Sequence, residues 1–368
     1  KRIAVIGSGV AGLLAAERLA TAHDVVVFEA DSRIGGHTHT VNVDGPQGPI
    51  AVDTGFIVCN DRTYPGFLGM LGRLGVLTRP STMSFSVRCE RTGLEYNGGS
   101  FGQLFAQRSN LLRWSFWGML RDILRFHRKA PGLGDSDATL ADVLREGGFG
   151  RRFAEHYLVP MMAAIWSAEP KRLMAMPARF FVRFFHNHGM LQVDDRPQWY
   201  TVSGGSRRYL DPLLRTFSNH IRTGAEVVAL HRDADGVRVQ AIGQAPERFD
   251  AAVVATHSDQ ALRLLANPTE DERAVLGAIP YQENEVVLHT DSTLLPKRKA
   301  AWAAWNYHLP NVPSQCATVT YCMNILQGLP GPEVYCVTLN RTEAIDPAKI
   351  LRRFVYHHPV FDVAGVAA

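Results

Sequence analysis

No run of the chain approaches the roughly 20 consecutive apolar residues needed to cross a bilayer, so the sequence predicts no membrane-spanning helix. Cysteine is scarce. Cys59, Cys89, Cys316, Cys322 and Cys336 form an odd set with no Cys-x-x-Cys pair, which indicates neither a disulfide framework nor a zinc site. The histidine pairs His37/His39, His186/His188 and His357/His358 have no third ligand at helical or loop spacing, so no metal is expected. Neither sign of charge dominates: a net charge of +4 over 368 residues is too mild for a nucleic-acid partner. No basic stretch, apolar core and cleavage site precede the first strand, and a cytoplasmic location is expected. What the chain has is length. At 368 residues it exceeds the usual span of one core, which predicts two domains, and 46% hydrophobic with 20% charged residues suits a soluble protein.

The N-terminus carries the strongest local pattern. Residues 2–6 read as a short buried strand, followed by Gly7-Ser8-Gly9-Val10-Ala11-Gly12 and a small-residue helix over 11–22. A second strand over 24–28 ends at Glu29, near the offset at which an acidic side chain accepts bonds from a ribose diol. Gly7 permits the turn, Gly9 lets a pyrophosphate approach, and Gly12 lets the helix pack on the strand with its positive end toward phosphate. Glu29 argues against a 2'-phosphate. A glycine turn in some other α/β fold is the competing interpretation.

The segment Arg33-Ile34-Gly35-Gly36-His37-Thr38 resembles the Arg-x-Gly-Gly-Arg-Thr segment of the flavin-containing amine oxidase and phytoene desaturase superfamily. The resemblance implies FAD rather than NAD. His37 stands where relatives carry arginine, so its phosphate contact is expected to be weaker, pH-sensitive or absent; the alternative is a surface-loop histidine. Residues 50–57 resemble the superfamily's Asp-x-Gly segment beside the flavin, with a plain hairpin as the alternative. Trp199 through Ser206 resemble its Trp-x-x-x-x-Gly-Gly segment. The implied cofactor set is Gly7, Ser8, Gly9, Ala11, Gly12, Glu29, Ala30, Gly35, Gly36, His37, Thr38, Gly55, Phe56, Ile57, Val227 and Ala255. In relatives a valine at the place of Val227 meets the adenine, and the strand leading to Ala255 runs under the cofactor.

Strand-like stretches at 224–230, 236–240 and 249–255 read as a β-meander inserted into the cofactor domain. The expected architecture is α/β: a Rossmann-type FAD-binding domain over 1–60, 199–262 and 341–368, and a discontinuous α+β substrate domain over 61–198 and 263–340. Residues 61–198 show helical periodicity and few strand signals, whereas 285–290 and 333–339 read as strands. Relatives close with another glycine-rich turn and a helix facing the flavin. Nothing after Leu351 supplies either, so the final cofactor element is expected to be missing, which puts FAD retention in question.

Residues 111–129 combine a basic row (Arg113, Arg121, Arg125, Lys129) that includes Trp117 with an apolar face of Leu112, Phe116, Leu120, Ile123 and Leu124. Over 104–129 six basic residues stand against one acidic residue, Asp122, a composition suited to an anionic bilayer surface. The alternative is a substrate-domain helix that buries one side and solvates the other. A peripheral contact with the inner face of the cell membrane is the sharper expectation.

Only one dinucleotide fingerprint is present, so the flavin is expected to be reduced by its substrate rather than by NAD(P)H. Amine oxidases of the superfamily place a lysine on a strand of the second domain. Here residues 281–289 contain none, which lowers amine oxidation among the options. Asn187-His188-Gly189, His289-Thr290-Asp291, Trp305-Asn306-Tyr307 and Met323-Asn324 resemble bacterial amine oxidase-like flavoproteins that occur with cyclopropane-fatty-acid-synthase-like methyltransferases. That resemblance spans nearly the whole chain and implies desaturation of methylated fatty acyl chains of phospholipids. Such a reaction asks for a proton acceptor beside the hydride donor, and His188, His289 and Tyr307 are the candidates. Oxidation of amines or other small molecules, a non-redox flavoprotein (isomerase or scaffold) and a nicotinamide dehydrogenase remain alternatives.

Overall fold

Alternation decides how the N-terminal strands sit. Val5, Val25 and Val27 cluster with Leu13 and Ala16 of the helix Val10–Leu19, while Ala4, Ile6, Val26 and Phe28 pack with Leu230, Val239 and Phe249. Both faces of Arg2–Ile6 and Asp24–Phe28 are therefore covered, which is why these strands read as unbroken apolar runs. They pair in parallel in the order Ile221–Arg222, Asp24–Phe28, Arg2–Ile6, Ala251–Val254. The computed structural model describes residues 1–46, 48–134, 136, 138–166, 169–192, 196–215, 217–312 and 316–367.

The strand expected over 249–255 is in fact two. Glu247–Phe249 closes an antiparallel meander with Val227–Asp233 and Gly236–Ala241, and Ala251–Val254 returns to the parallel sheet. Asp250 makes the step: its N–H donates to the Arg2 carbonyl (2.8 Å) and its carboxylate accepts the Arg2 N–H (2.6 Å).

A seven-stranded sheet forms the second body, in the order Ile350–Pro359, Tyr281–His289, Cys336–Leu339, Val319–Cys322, Trp305–Leu309, Phe85–Cys89, Leu94–Asn97. Two expectations are corrected here. Residues 61–198 do carry the helical layer, with Phe116, Phe126, Phe153, Phe181 and Phe185 packed on Val87, Tyr96 and Tyr307. They also supply Phe85–Cys89 and Leu94–Asn97, and Thr78–Ser81 pairs with Trp199–Val202. The segment 341–368, expected with the cofactor domain, instead places Ile350–Pro359 at the edge of this sheet, antiparallel to Tyr281–His289. Nine consecutive residues of Tyr281–His289 find partners there, and that pairing outweighs any order inferred by resemblance.

The two bodies are tied together by Asp53, at the end of the hairpin strand Gly48–Asp53. Its carboxylate accepts the Ser206 N–H (2.9 Å), the Ser206 and Thr40 hydroxyls (2.9 and 2.6 Å) and the Gln327 side-chain amide (2.9 Å). No described helix is long and apolar enough to cross a membrane.

Candidate functional site

The first turn is shaped by contact. A Cβ on Gly12 would overlap the Gly7 carbonyl oxygen and lie 3.2 Å from the Ala255 Cβ, so only glycine lets the helix sit this close to the sheet. The Gly7 N–H donates to the Phe28 carbonyl (2.8 Å). Gly9 caps the helix without a side-chain bond, which leaves the first-turn N–H groups and the positive helix end for an anion. The Glu29 carboxylate accepts from the Ser8 N–H (2.9 Å), the Ser8 hydroxyl and the Asp31 N–H (2.9 Å), and it retains lone pairs for a diol.

The second glycine loop lies against the first. Gly35 (φ 116°) and Gly36 (φ 55°) occupy backbone conformations that L side chains rarely adopt, and Gly35 bridges to Gly9. Arg33 braces this loop, its guanidinium donating to the carbonyls of Gly36 (2.8 Å) and Thr38 (3.2 Å). The Thr38 hydroxyl in turn bonds to the Tyr209 hydroxyl.

A cavity of about 1020 Å³ opens between these loops. Gly7, Ser8, Gly9, Ala11, Glu29, Ala30, Gly35, Gly36, His37, Thr38, Phe56, Val227 and Ala255 line it. Gly12 lies behind the turn, and Gly55 and Ile57 line a second cavity instead. The first cavity fits FAD on its own features: a glycine-walled trough at a helix N-terminus, a carboxylate at the ribose position, and the buried His37 Nε2, which has no partner among the described residues. Burial, then the neighbouring His257, Arg33 and His357, lowers the His37 pKa, so at neutral pH it offers an uncharged imidazole rather than a cation.

The second cavity, about 250 Å³, meets the first at Phe56, Tyr64 and Tyr356, which line both. The Tyr356 hydroxyl is fixed between Thr54 Oγ1 (2.9 Å) and His39 Nδ1 (2.7 Å). The remaining wall is mostly aliphatic and aromatic, including Ile165, Phe184, Trp199, Trp305 and Leu326, with no carboxylate and no lysine among the described residues.

Of the proposed proton acceptors, His188 lines one of these two cavities. It caps the helix Ala178–Asn187, stacks on Phe184 (ring centroids 4.0 Å apart) and lines the second cavity. Its Nδ1–H donates to the Phe184 carbonyl (2.9 Å), which leaves Nε2 as the acceptor nitrogen. Burial lowers its pKa and the bond to Phe184 partly opposes this. His289 and Tyr307 are corrections, since neither lines either of these two cavities. His289 is buried, bonded to the Thr338 hydroxyl (2.7 Å) and the Asp291 N–H (3.0 Å), and burial lowers its pKa to about 4. Tyr307 is a core residue packed under the helical layer, its pKa raised by burial.

The structure adds residues that the sequence did not single out. Tyr356 and His357 line the first cavity, and Tyr356 and His358 line the second. The signal was present in the adjacent histidines of one strand, because strand neighbours face opposite sides. Burial, then His37, His257 and His357, lowers the His358 pKa to about 4.

A family model described as flavin-containing amine oxidoreductase matches residues 10–322. In sequence, the chain is 26% identical over 265 residues to a Mycobacterium tuberculosis (strain CDC 1551 / Oshkosh) protein described as a flavin-containing monoamine oxidase. The match covers 67% of this chain and 55% of that protein, so the chain spans about half the length of that relative. Cyclohexylamine oxidase from Brevibacterium oxydans IH-35A is similar in structure, with a TM-score of 0.69 and 15% identity, over 100% of this chain and 89% of that one. A CLA-producing fatty acid isomerase from P. acnes gives 0.62 and 16%, over 97% and 86%. These likenesses establish the amine oxidase-like fold.

Proposed function

The chain belongs to the flavin-containing amine oxidoreductase family, with FAD as its cofactor, and from that premise we propose that it oxidises an acyl chain of a lipid. The finer reading is desaturation of methylated fatty acyl chains of phospholipids at the inner face of a membrane. The observation that carries it is the wall of the second cavity, mostly apolar and aromatic, with no carboxylate or lysine among the described residues beside the Phe56–Tyr356 junction. An alkyl chain gains about 0.8 kcal/mol for each methylene buried there. A buried ammonium would meet no counter-charge among the described residues of that wall. That one structural relative is a fatty acid isomerase is in keeping with this reading.

FAD, when bound, supplies the hydride acceptor. The apolar and aromatic cavity wall excludes water from the bound chain. Desaturation removes hydride from one carbon and a proton from its neighbour, whose C–H electron pair becomes the new π bond. His188 Nε2 accepts that proton, with Nδ1 held by the Phe184 carbonyl.

Amine oxidation is the second reading. The tyrosine and tryptophan faces of Tyr321, Tyr356, Trp199 and Trp305 favour it, since they could hold a cation, and so do the amines named for the relatives. Anaerobic flavin bleaching separates the two. Detergent-dispersed phospholipids with methylated chains should bleach the FAD and primary amines should not. The reverse result would replace this reading with the second, and bleaching by dithionite alone would overturn both.

A further inference from the structure

The proposed lipid substrate leaves open how the protein reaches it, and of the thirteen exposed large apolar side chains among the described residues, six fall on residues 101–128. Phe101 (71% exposed) precedes a short 3-10 turn, Arg108–Leu112, which ends on Leu112 (87%), and the helix Trp114–Lys129 begins with Trp114 (90%). Trp117 (41%) joins them: its indole N–H donates to the Leu111 carbonyl (2.9 Å) and its ring meets Phe105, which contacts Phe101.

The helix has two separate faces. Phe116, Met119 and Phe126 are buried in the helical layer. Trp114, Trp117, Arg121, Leu124 and Arg128, spaced three and four apart, are all exposed, so they share the opposite stripe. Large apolar side chains left in water on the outer stripe need a partner.

Charge identifies it. Arg108, Arg113, Arg121, Arg128 and Lys129 have no carboxylate partner among the described residues, and the one acidic side chain of the segment, Asp122, is turned inward to the Gly150 N–H (2.8 Å) and Arg125 (3.2 Å). Exposed tryptophan, phenylalanine and leucine flanked by unpaired arginines match a bilayer interface: rings at the headgroup level, guanidinium groups on phosphate. We propose that residues 101–128 dock the protein on the surface of an anionic phospholipid bilayer. This rests on the lipid reading above for its purpose, but not for its test.

The test is flotation of the FAD-loaded chain with phosphatidylcholine vesicles that contain phosphatidylglycerol, with saturated unmethylated chains that are not substrates. The parent should float, and partitioning should fall on the order of ten-fold when phosphatidylglycerol is omitted or salt is raised to about 1 M. Leu112→Ser with Trp114→Ser, and separately Arg113→Glu with Arg121→Glu, should each lower partitioning on the order of ten-fold or more with unfolding unchanged, because these side chains touch solvent. Vesicles with brominated acyl chains should quench the parent's tryptophan emission more than that of Trp114→Phe. A parent that stays at the bottom of the gradient, or variants that float as it does, would overturn the proposal. So would a parent dimer that Leu112→Ser with Trp114→Ser dissociates while flotation is unaffected, which would assign the patch to a second copy. Bleaching by detergent-dispersed lipid without flotation refutes docking alone, and flotation without bleaching refutes the substrate alone.

Discussion

Gly9 and Gly12 stand three residues apart in one loop, yet their substitution by alanine should fail in different ways. At Gly12 the new methyl overlaps the Gly7 carbonyl oxygen and presses on Ala255 at 3.2 Å, and both neighbours belong to backbone or sheet that cannot swing aside. Alanine gains about 1 kcal/mol of helix propensity, whereas overpacking of this kind costs about 1–3 kcal/mol, so the net effect is destabilising or at best neutral. At Gly9 a Cβ meets nothing within 4 Å, and the backbone (φ −63°, ψ 171°) suits any residue. The apo fold should therefore tolerate Gly9→Ala to within about 0.5 kcal/mol. The methyl would instead stand where the pyrophosphate approaches the first-turn N–H groups, and FAD affinity should fall on the order of ten-fold or more, about 1.4 kcal/mol. Urea unfolding of the apo chains and FAD titration by flavin fluorescence read the two quantities separately. If Gly9→Ala holds FAD as tightly as the parent, or unfolds earlier than Gly12→Ala, the division between a packing glycine and a ligand glycine is wrong.

Three further outcomes follow from the site. Burial raises the Asp53 pKa from 3.8 to about 6, against hydrogen bonds from Thr40 and Ser206. Its contribution to stability is thus full below about pH 4 and lost as pH rises through about 6, and the advantage of the parent over Asp53→Asn should shrink by on the order of 3 kcal/mol across that window in urea unfolding. His289→Gln should cost about 1–3 kcal/mol through its bonds to Thr338 and Asp291 and leave flavin reduction unchanged, so a slowed reduction would return His289 to the chemistry. His188→Gln should slow reduction by substrate on the order of 100-fold with FAD binding intact. In the parent, because the His188 pKa is lowered, the rate should hold as pH falls past 6.5 and drop only at more acidic pH. Unchanged reduction in the variant removes His188 from the mechanism.

What could be read from the sequence was local. Gly7, Gly9 and Gly12 and then Gly35-Gly36 carry their geometry within a few residues, and the structure places both loops on one cavity wall. Long-range pairings were not legible. Asp53 meets partners 153 and 274 residues away in Ser206 and Gln327, and no spacing announces that. The resemblance places 341–368 with the cofactor domain, whereas the backbone pairing of Ile350–Pro359 with Tyr281–His289 puts it at the edge of the second sheet. His289 and His188 looked alike as histidines among apolar neighbours. Only the third dimension separates one bonded to Thr338 inside a sheet from one that lines a cavity.

The strand Ile350–Pro359 also explains why the junction of the two cavities is electrostatically quiet. Its alternation gives His357 to the cofactor side and His358 to the substrate side, with Tyr356 between them. His37 and His257 approach from other elements, with ring centroids of His37 6.0 Å from both His257 and His358. Each ring disfavours charge on the next, and burial adds to this, so His37, His257 and His358 all have lowered pKa values. These three rings therefore stay neutral at neutral pH and supply neither a positive charge nor a counter-charge. A carboxylate approaches this cluster on the cofactor side, where Glu283 lies 3.6 Å from His357, whereas the described wall of the second cavity has none for a substrate ammonium and an acyl chain needs none. Uncharged, these histidines add no counter-charge to the junction, as the apolar wall beyond them adds none.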